Sequence, residues 1–230
     1  MPAEKVRVAI LDDHQSIIDG FVYRLSSTPE IDVVATATVG EELEPLLAKH
    51  RVDVLLLDLS VRSSLENPNP YPILHVIPKI LQKNPDLCVL IISMFSEPGL
   101  MRSLMEAGAS GYILKDDQTA FKELGNIVLS IARGGVFFSK KAHSLYLQAE
   151  NLANGDLLTP RQMEVISLCA AYPDASTSDL AQMMTISNST VRNLLSSLYL
   201  RLGVHSRTAA VEKAREMGLV TPRPPTFTSK

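Results

Sequence analysis

The chain has 230 residues, of which 46% are hydrophobic, and a formal net charge of −3. This is enough for one large or two small domains with a real core. The longest apolar runs are too short to cross a bilayer, and the N-terminus soon reaches acidic residues, so we expect neither a membrane span nor a signal peptide. Residues 1–133 hold 12 Lys and Arg against 18 Asp and Glu, whereas residues 156–230 hold 8 against 6. An acidic N-terminal part and a faintly basic C-terminal part are compatible with a C-terminal part that binds nucleic acid.

The first half alternates short apolar runs with amphipathic segments. Five such runs predict buried strands, and the helical segments between them, at 17–27, 41–50 and 99–108 for example, predict helices on both faces of a parallel sheet. This pattern indicates a doubly wound α/β domain over residues 1–133, with a last helix in 119–135. The predicted strands are Arg7–Leu11, Ile31–Ala37, Val52–Asp58, Leu87–Ser93 and Gly111–Lys115.

The second half is predicted to be helical. Residues 134–156 show no clear strand and are interpreted as a partly helical linker. Thr159 and Pro160 have the residue types of a helix N-cap and a first helical position. Three further helices are expected within 157–220, and the Pro-, Ser- and Thr-rich residues 221–230 are expected to be disordered.

Chemically useful side chains stand where the predicted strands end, which is where ligands bind in open α/β sheets. Asp12 and Asp13 follow the first strand, Asp58 the third, Ser93 the fourth and Lys115 the fifth. Neighbouring carboxylates raise one another's pKa unless a cation joins them, and an all-oxygen site suits Mg²⁺. A carboxylate beside Mg²⁺ and a lysine is suited to accept a phosphoryl group. The two cysteines, Cys88 and Cys169, lack a CxxC partner and are expected to be reduced, buried thiols of a cytoplasmic protein.

These positions resemble the receiver domain of two-component response regulators. The resemblance implies a flavodoxin-like domain in which Asp58 is the phosphoacceptor. It implies that Asp13, Asp58 and the backbone carbonyl of Ser60 bind the metal, with Asp12 in support, and that Lys115 holds the phosphoryl group. It also implies a conformational switch made of Ser93 and Tyr112. For His14, which follows the acidic pair, a solvated loop or a capping role is favoured over a metal ligand.

One segment departs from the family. After Asp58 and Leu59 the family usually has a Met-Pro-Gly-x-Asp-Gly-like turn, whereas this chain has a longer segment rich in Pro and Asn over residues 60–72. Such a loop does not close the pocket in the usual way. It is expected to block a kinase, slow phosphotransfer or form a new partner surface.

Residues 157–220 resemble the helix-turn-helix domain of the NarL/FixJ (LuxR-type) regulators, on the LTPR opening at Leu158, the T-V-basic-N run from Thr190 and the stretch from Leu202. Arg and Asn on the second helix suit contacts to base edges or phosphates. The family commonly has Lys in place of Arg192 and His in place of Leu194. Few cations predict modest affinity per monomer, which favours dimers on paired half-sites. The candidate DNA contacts are Ser187, Asn188, Ser189, Thr190, Arg192, Asn193, Ser196 and Arg207.

The resemblance implies a non-enzymatic, cytoplasmic transcription factor. Its partners would be promoter DNA, a sensor histidine kinase or small phosphodonor, and a second copy paired through the last helix. The apolar residues of that helix, Ala209, Ala210, Val211 and Ala214, are equally suited to the core of the domain itself. A second hypothesis is an orphan regulator that binds DNA as a dimer without phosphorylation. A third is an aspartyl-phosphate phosphatase, which is disfavoured because such enzymes need an Asp where Ser60 stands.

Overall fold

The front part of the molecule is built on one parallel sheet. The structure is a computed structural model that describes residues 4–152 and 158–221, without the side chains of 148–152. The sheet has the order β2-β1-β3-β4-β5-β6, and every neighbouring pair is parallel. Its strands are β1 (Val6–Leu11), β2 (Ile31–Ala37), β3 (Val54–Leu57), β4 (Cys88–Ser93), β5 (Gly111–Leu114) and β6 (Phe137–Phe138).

Helices cover both faces of this sheet, because the strands are apolar on both faces. In β1, Val8 and Ile10 enter one buried cluster, whereas Ala9 and Leu11 enter the other. The predicted doubly wound fold is therefore confirmed. The helices of this part are α1 (Gln15–Ser26), α2 (Leu43–Lys49), α3 (Ile73–Lys83), α4 (Pro98–Glu106), α5 (Gln118–Lys122), α6 (Leu124–Ala132) and α7 (Lys140–Leu152). The single helix predicted within 119–135 is divided at Glu123 into α5 and α6.

The predicted count of five strands was wrong by one, and so was the absence of a strand from residues 134–156. Phe137 and Phe138 pair with Gly111 and Tyr112 at the edge of the sheet. A two-residue strand is too short to show an alternating pattern, which is why the sequence did not reveal it. The contact needs a glycine in β5, because a Cβ on Gly111 would lie 2.5 Å from the Phe137 carbonyl oxygen. The ring of Phe138 then packs against Tyr146 of α7, with ring centroids 4.9 Å apart.

The back part is helical, as predicted. Each of its four helices begins at a hydroxyl residue whose side chain accepts a backbone N–H, the usual stabilising N-cap. Thr159 and Pro160 occupy the predicted N-cap and first helical positions. The helices are α8 (Pro160–Ala171), α9 (Thr177–Met184), α10 (Asn188–Leu202) and α11 (Arg207–Glu216). The predicted tail lies, apart from Thr221, outside the described residues.

The helical part lies against the sheet domain through α8, which packs on α3 and α4. One buried apolar cluster continues across this contact, from Leu74 and Leu104 to Met163 and Ile166. Over 4–152 and 158–221, no helix has the length and apolar character that a membrane crossing would require.

Candidate functional site

The sheet brings four predicted site residues to one edge. Asp12, Asp58, Ser93 and Lys115 directly follow or end β1, β3, β4 and β5. Backbone hydrogen bonds fix their register: the Asp58 N–H donates to Leu11 O at 2.9 Å, and the Lys115 N–H donates to Ser93 O at 2.8 Å. The carboxyl ends of the central strands therefore form one pocket, as the sequence predicts for a parallel sheet.

Asp58 lies at the bottom of this pocket and is only 2% exposed. Within the described part of the chain, neither of its carboxylate oxygens accepts a hydrogen bond of good geometry. Burial raises the pKa of Asp58 from 3.8 to about 6, and the Asp12 carboxylate adds to this effect, while the Lys115 ammonium and the Ser60 backbone N–H partly offset it. A buried carboxylate that accepts no well-formed hydrogen bond is uncommon in a purely structural role and marks a reactive position.

Lys115 lies between the two buried carboxylates. Its Nζ is 2.7 Å from Asp12 Oδ2 and 3.0 Å from Asp58 Oδ2. Partial burial would lower the pKa of Lys115, but the carboxylates of Asp58 and Asp12 outweigh burial, so the pKa lies above its ordinary value. The ammonium is therefore charged at neutral pH and placed to neutralise an anion held on Asp58.

Asp13 lies at the entrance of the pocket beside His14. The ligand atoms of Asp12, Asp13 and His14 fall within 4.8 Å of one another, a group that Asp58 does not join. His14 Nδ1 is 2.7 Å from Asp13 Oδ1, and the imidazole is about half exposed. Its exposed position agrees with the predicted solvated loop, but its side chain does not cap α1. Ser60 follows Asp58 by two positions and is half-buried.

The predicted switch residues share one contact that the sequence did not reveal. Ser93 Oγ accepts the N–H of Phe95 at 3.2 Å, and the Tyr112 hydroxyl donates to the Phe95 carbonyl at 2.8 Å. Both side chains are almost completely buried, and burial raises the pKa of the Tyr112 hydroxyl. Both therefore hold the loop between β4 and α4 through Phe95. No local pattern singles out Phe95, because the contact uses only its backbone.

The second candidate site is the outer face of α10. Val191, Leu195 and Leu198 of this helix are buried, and Leu194 is half-buried against the same core. The opposite face carries five of the predicted DNA contacts, and all five are exposed: Ser189, Thr190, Arg192, Asn193 and Ser196. α9, the turn at 185–187 and α10 form the predicted helix-turn-helix, in which Thr185 adopts a left-handed conformation with φ of 56°.

Of the remaining predicted DNA contacts, Ser187 and Arg207 make intramolecular hydrogen bonds in this structure. Ser187 caps α10 by accepting the Thr190 N–H at 3.1 Å. Asn188 is half-buried, with an Oδ1 atom that has no hydrogen-bond partner among the described residues. The Arg207 guanidinium donates to the Ala175 carbonyl, in the turn between α8 and α9. Arg207 thus ties that turn to α11.

The last helix also has an internal role. Ala210, Val211 and Ala214 are buried within the helical domain, whereas Ala209 is exposed. Of the two interpretations open from the sequence, dimer surface or domain core, the structure favours core for these three residues. The exposed surface of α11 includes Ala209, Glu212, Lys213 and Glu216.

Comparisons with known proteins cover both parts of the chain. The family model described as the response regulator receiver domain matches residues 8–124, and that of the bacterial regulatory proteins of the luxR family matches residues 156–214. The chain belongs to the NarL/FixJ family of response regulators. It is a DNA-binding response regulator with a receiver and a helix-turn-helix domain.

Full-length relatives share this organisation. Transcriptional regulatory protein DegU of Brevibacillus brevis is 29% identical over 95% of this chain and 97% of its own length. Oxygen regulatory protein NreC of Staphylococcus epidermidis is 28% identical over 94% and 99%. These relatives are regulators, and the chain, like its family, is not an enzyme. Among solved structures, RcsB of Salmonella enterica serovar Typhimurium bound to promoter rprA has a TM-score of 0.64 at 21% identity over 91% of this chain and 98% of that one, which shows the same fold.

Proposed function

We propose that this response regulator binds promoter DNA under the control of phosphorylation at Asp58. The observation that carries the proposal is the buried Asp58 carboxylate, which accepts no hydrogen bond of good geometry from the described residues, while the Lys115 Nζ lies 3.0 Å from its Oδ2. That arrangement holds an anionic nucleophile next to a cation that can neutralise a transferred phosphoryl group.

The covalent step follows from this geometry. An Asp58 carboxylate oxygen attacks the phosphorus of the donor, the bond from phosphorus to the donor's leaving group breaks, and an acyl phosphate remains on Asp58. Lys115 pairs with the new phosphoryl oxygens and exchanges its contact with the carboxylate for one with the phosphate. Ser93 then gives up its contact with the Phe95 N–H to donate its hydroxyl to the phosphoryl group, with Tyr112 buried behind it.

The acidic residues fit a magnesium ion. Asp12 and Asp13 lie close enough to share a metal ion, and Asp58, apart from its ion pair with Lys115, accepts no hydrogen bond of good geometry from the described residues. Hard oxygen donors of this kind are those that Mg²⁺ prefers. We assign the ion to Asp12, Asp13, Asp58 and the Ser60 carbonyl. When bound, it supplies charge neutralisation for the phosphoryl group.

The DNA contacts belong to the N-terminal half of α10. The exposed Arg192 and Asn193 are suited to base edges, whereas Ser189, Thr190 and Ser196 are suited to phosphates. Arg207 reaches DNA only if it leaves the Ala175 carbonyl, whereas Ser187 is exposed and Asn188 is half-buried. The contributions of these three residues are therefore the first to test. Two copies on paired half-sites compensate for the few cations.

The partners and location follow from this function. A sensor histidine kinase or a small phosphodonor supplies the phosphoryl group, a second copy completes the DNA-binding unit, and the protein acts in the cytoplasm, where the DNA is. The relatives that match nearly the whole chain are named as transcriptional or oxygen regulators, which supports this setting.

The experiment is DNA binding measured with and without beryllium fluoride, a phosphoryl mimic, in the presence of Mg²⁺. We expect tighter binding and more dimer with the mimic, and neither change in an Asp58→Ala variant. If the mimic changes neither DNA binding nor dimerisation of the wild-type chain, phosphorylation control is wrong.

A second candidate function is an orphan regulator that binds DNA without phosphorylation. The folded segment 60–72, which replaces the family's usual turn next to Asp58, favours it. An Asp58→Ala variant that retains full, regulated DNA binding would support this candidate over the first.

A further inference from the structure

The atypical segment 60–72 is an ordered hairpin rather than an open loop. Arg62 and Pro70 form an antiparallel bridge, and the Tyr71 N–H donates to Val61 O at 2.8 Å. Its base is fixed to the turn before α2, because the N–H groups of Gly40 and Glu41 donate to the carbonyls of Arg62 and Ser63 at 2.9 Å each. The segment therefore has a defined shape next to Asp58.

Asn67 organises the tip of this hairpin. Its Oδ1 accepts the backbone N–H of Asn69 at 3.1 Å and the Asn69 side-chain amide at 2.8 Å. Its own amide group points away from the hairpin and donates to the Ala171 carbonyl at 3.0 Å. Ala171 is the last residue of α8 in the DNA-binding domain, where helix carbonyls lack helical partners. The hairpin thus satisfies the C-terminal end of a helix in the other domain.

A second contact accompanies this one. Tyr172, the residue after α8, lies beside the Ser63 side chain, and both residues line one small pocket at the edge of the hairpin. Ser63 is buried in the hairpin, where its Oγ also contacts the Pro70 carbonyl at 3.3 Å. Two consecutive residues of the DNA-binding domain therefore rest on the segment that follows the predicted phosphoacceptor.

The rest of the domain contact is incompletely packed. A cavity of about 790 Å³ lies between the receiver helices α3 and α4 and the helices α8 and α9. Two polar contacts bound it: His75 Nδ1 lies 2.6 Å from Glu164 Oε1, and the Lys79 ammonium donates to the Met183 carbonyl. The domain contact thus combines the buried apolar cluster that crosses it with polar contacts and unfilled space. Contacts between domains that are more polar than a core leave room for relative motion of the domains.

We propose that segment 60–72 is a docking element that holds the DNA-binding domain on the receiver through Asn67 and Ser63. The segment begins two residues after Asp58, and backbone hydrogen bonds join its two sides from Val61 and Tyr71 at the base to Ser64 and Asn67 at the tip. A phosphoryl group on Asp58 therefore displaces the start of the same segment whose tip holds α8. The displacement of the segment by a phosphoryl group rests on the proposed function. The docking of the DNA-binding domain through Asn67 and Ser63 does not.

The test measures the distance between the domains in the full chain by pulsed electron paramagnetic resonance. Spin labels are placed by Tyr23→Cys on α1 and Leu200→Cys on α10, which are 80% and 84% exposed. Cys88→Ala removes the half-buried native thiol, and Cys169 stays unlabelled because it is buried, which raises the pKa of its thiol to about 11. Asn67→Asp keeps the Oδ1 acceptor for Asn69 but removes the donor to Ala171. Leu65→Ala, at an exposed position of the same hairpin, is the matched control.

We expect one narrow distance in the labelled parent and in Leu65→Ala. Asn67→Asp should raise the ratio of undocked to docked molecules about fivefold, equivalent to one hydrogen bond of roughly 1 kcal/mol. Adding Lys79→Ala, which removes the independent contact with the Met183 carbonyl, should raise the ratio of undocked to docked molecules about 25-fold above that of the parent. An unchanged distribution in the double variant, with each domain folded by circular dichroism, overturns the docking role.

Beryllium fluoride tests the coupling separately. Its binding is followed by fluorine NMR, with Asp58→Ala as the negative control. A bound mimic that broadens the distance distribution supports the coupling, and a bound mimic that leaves it unchanged overturns the coupling alone. If no mimic binds, the proposed function and the coupling both fail, while the Asn67→Asp comparison still decides the docking role.

Discussion

The surroundings of Asp58 disfavour its ionised form, but Asp58 is still ionised at neutral pH. Its carboxylate is almost fully buried, and its pKa is raised to about 6 by burial and by Asp12. The ion pair with Lys115 offsets only part of the free-energy cost of burying the charged carboxylate. Groups held in this way commonly lower stability in exchange for function, so the cost should be measurable by removing the charge.

The first prediction concerns the stability of Asp58→Asn. Because the folded-state pKa of Asp58 lies above its ordinary value of 3.8, ionised Asp58 destabilises the fold, and stability should fall as pH rises from about 4 to about 6. At pH 7 the variant should be more stable by roughly 2–3 kcal/mol, at about 1.4 kcal/mol per pKa unit. Urea unfolding at pH 7 and pH 4 measures this, and the gain should vanish at pH 4. Asp32→Asn, at an exposed position of β2, should change little; a destabilised Asp58→Asn would contradict the account.

The second prediction concerns Mg²⁺. An ion that binds only the folded pocket stabilises the protein, by roughly 1.4 kcal/mol when its concentration is tenfold above Kd. Thermal unfolding with increasing Mg²⁺ should therefore show a rising Tm for the wild-type chain and for Asp32→Asn. The rise should be lost in Asp13→Asn and Asp58→Asn. A Tm that responds equally in all four proteins would remove these residues from the metal site.

Among the secondary-structure elements, those with a continuous local pattern in the sequence were predicted correctly. The five longer strands, β1 to β5, were predictable because their faces are largely apolar, and the start of α8 was predictable from Thr159 and Pro160. β6 was not, because two residues carry no period. The hairpin 60–72 was recognised as unusual but its shape was not, because its base is held by Gly40 and Glu41, which are distant in sequence.

The third prediction tests how that hairpin is seated. A Cβ at Gly40 would lie 2.2 Å from the Tyr71 ring, which closes the hairpin over the turn before α2. Gly40→Ala should therefore destabilise the chain by about 1–3 kcal/mol through overpacking. Gly20→Ala, in the middle of α1 with nothing within 4 Å of the new methyl group, should stabilise it by about 0.5–1 kcal/mol. Urea unfolding compares the two, and equal effects would contradict the packing described.

The fourth prediction concerns the outer face of α10. Arg192→Ala should weaken specific DNA binding by about 1–3 kcal/mol if Arg192 contacts a base edge. If it contacts a phosphate instead, binding weakens on all sequences and the salt slope falls by about 1 per monomer. Fluorescence anisotropy at several salt concentrations separates the two cases. Arg24→Ala, which removes an equal charge from an exposed position of α1, should do neither, and an Arg192→Ala variant with wild-type binding would exclude this face.

In the whole molecule, the docked arrangement of the two domains leaves the outer face of α10, the proposed DNA-binding surface, exposed. The receiver contacts α8 and the end of α9, whereas Ser189, Arg192 and Asn193 of α10 remain exposed. Control of DNA binding therefore cannot depend on covering α10 in this arrangement. By fixing the orientation of the DNA-binding domain, the receiver can control its pairing with that of a second copy without covering α10.

The central claim is that Asp58 accepts a phosphoryl group. The most direct measurement is the intact mass of the full chain after incubation with acetyl phosphate and Mg²⁺, followed by its oligomeric state. We predict the gain of a single phosphoryl group, its absence from Asp58→Asn, and a shift of the modified chain toward dimer. A wild-type chain that gains no phosphoryl group, or that gains it equally in Asp58→Asn, would contradict the account.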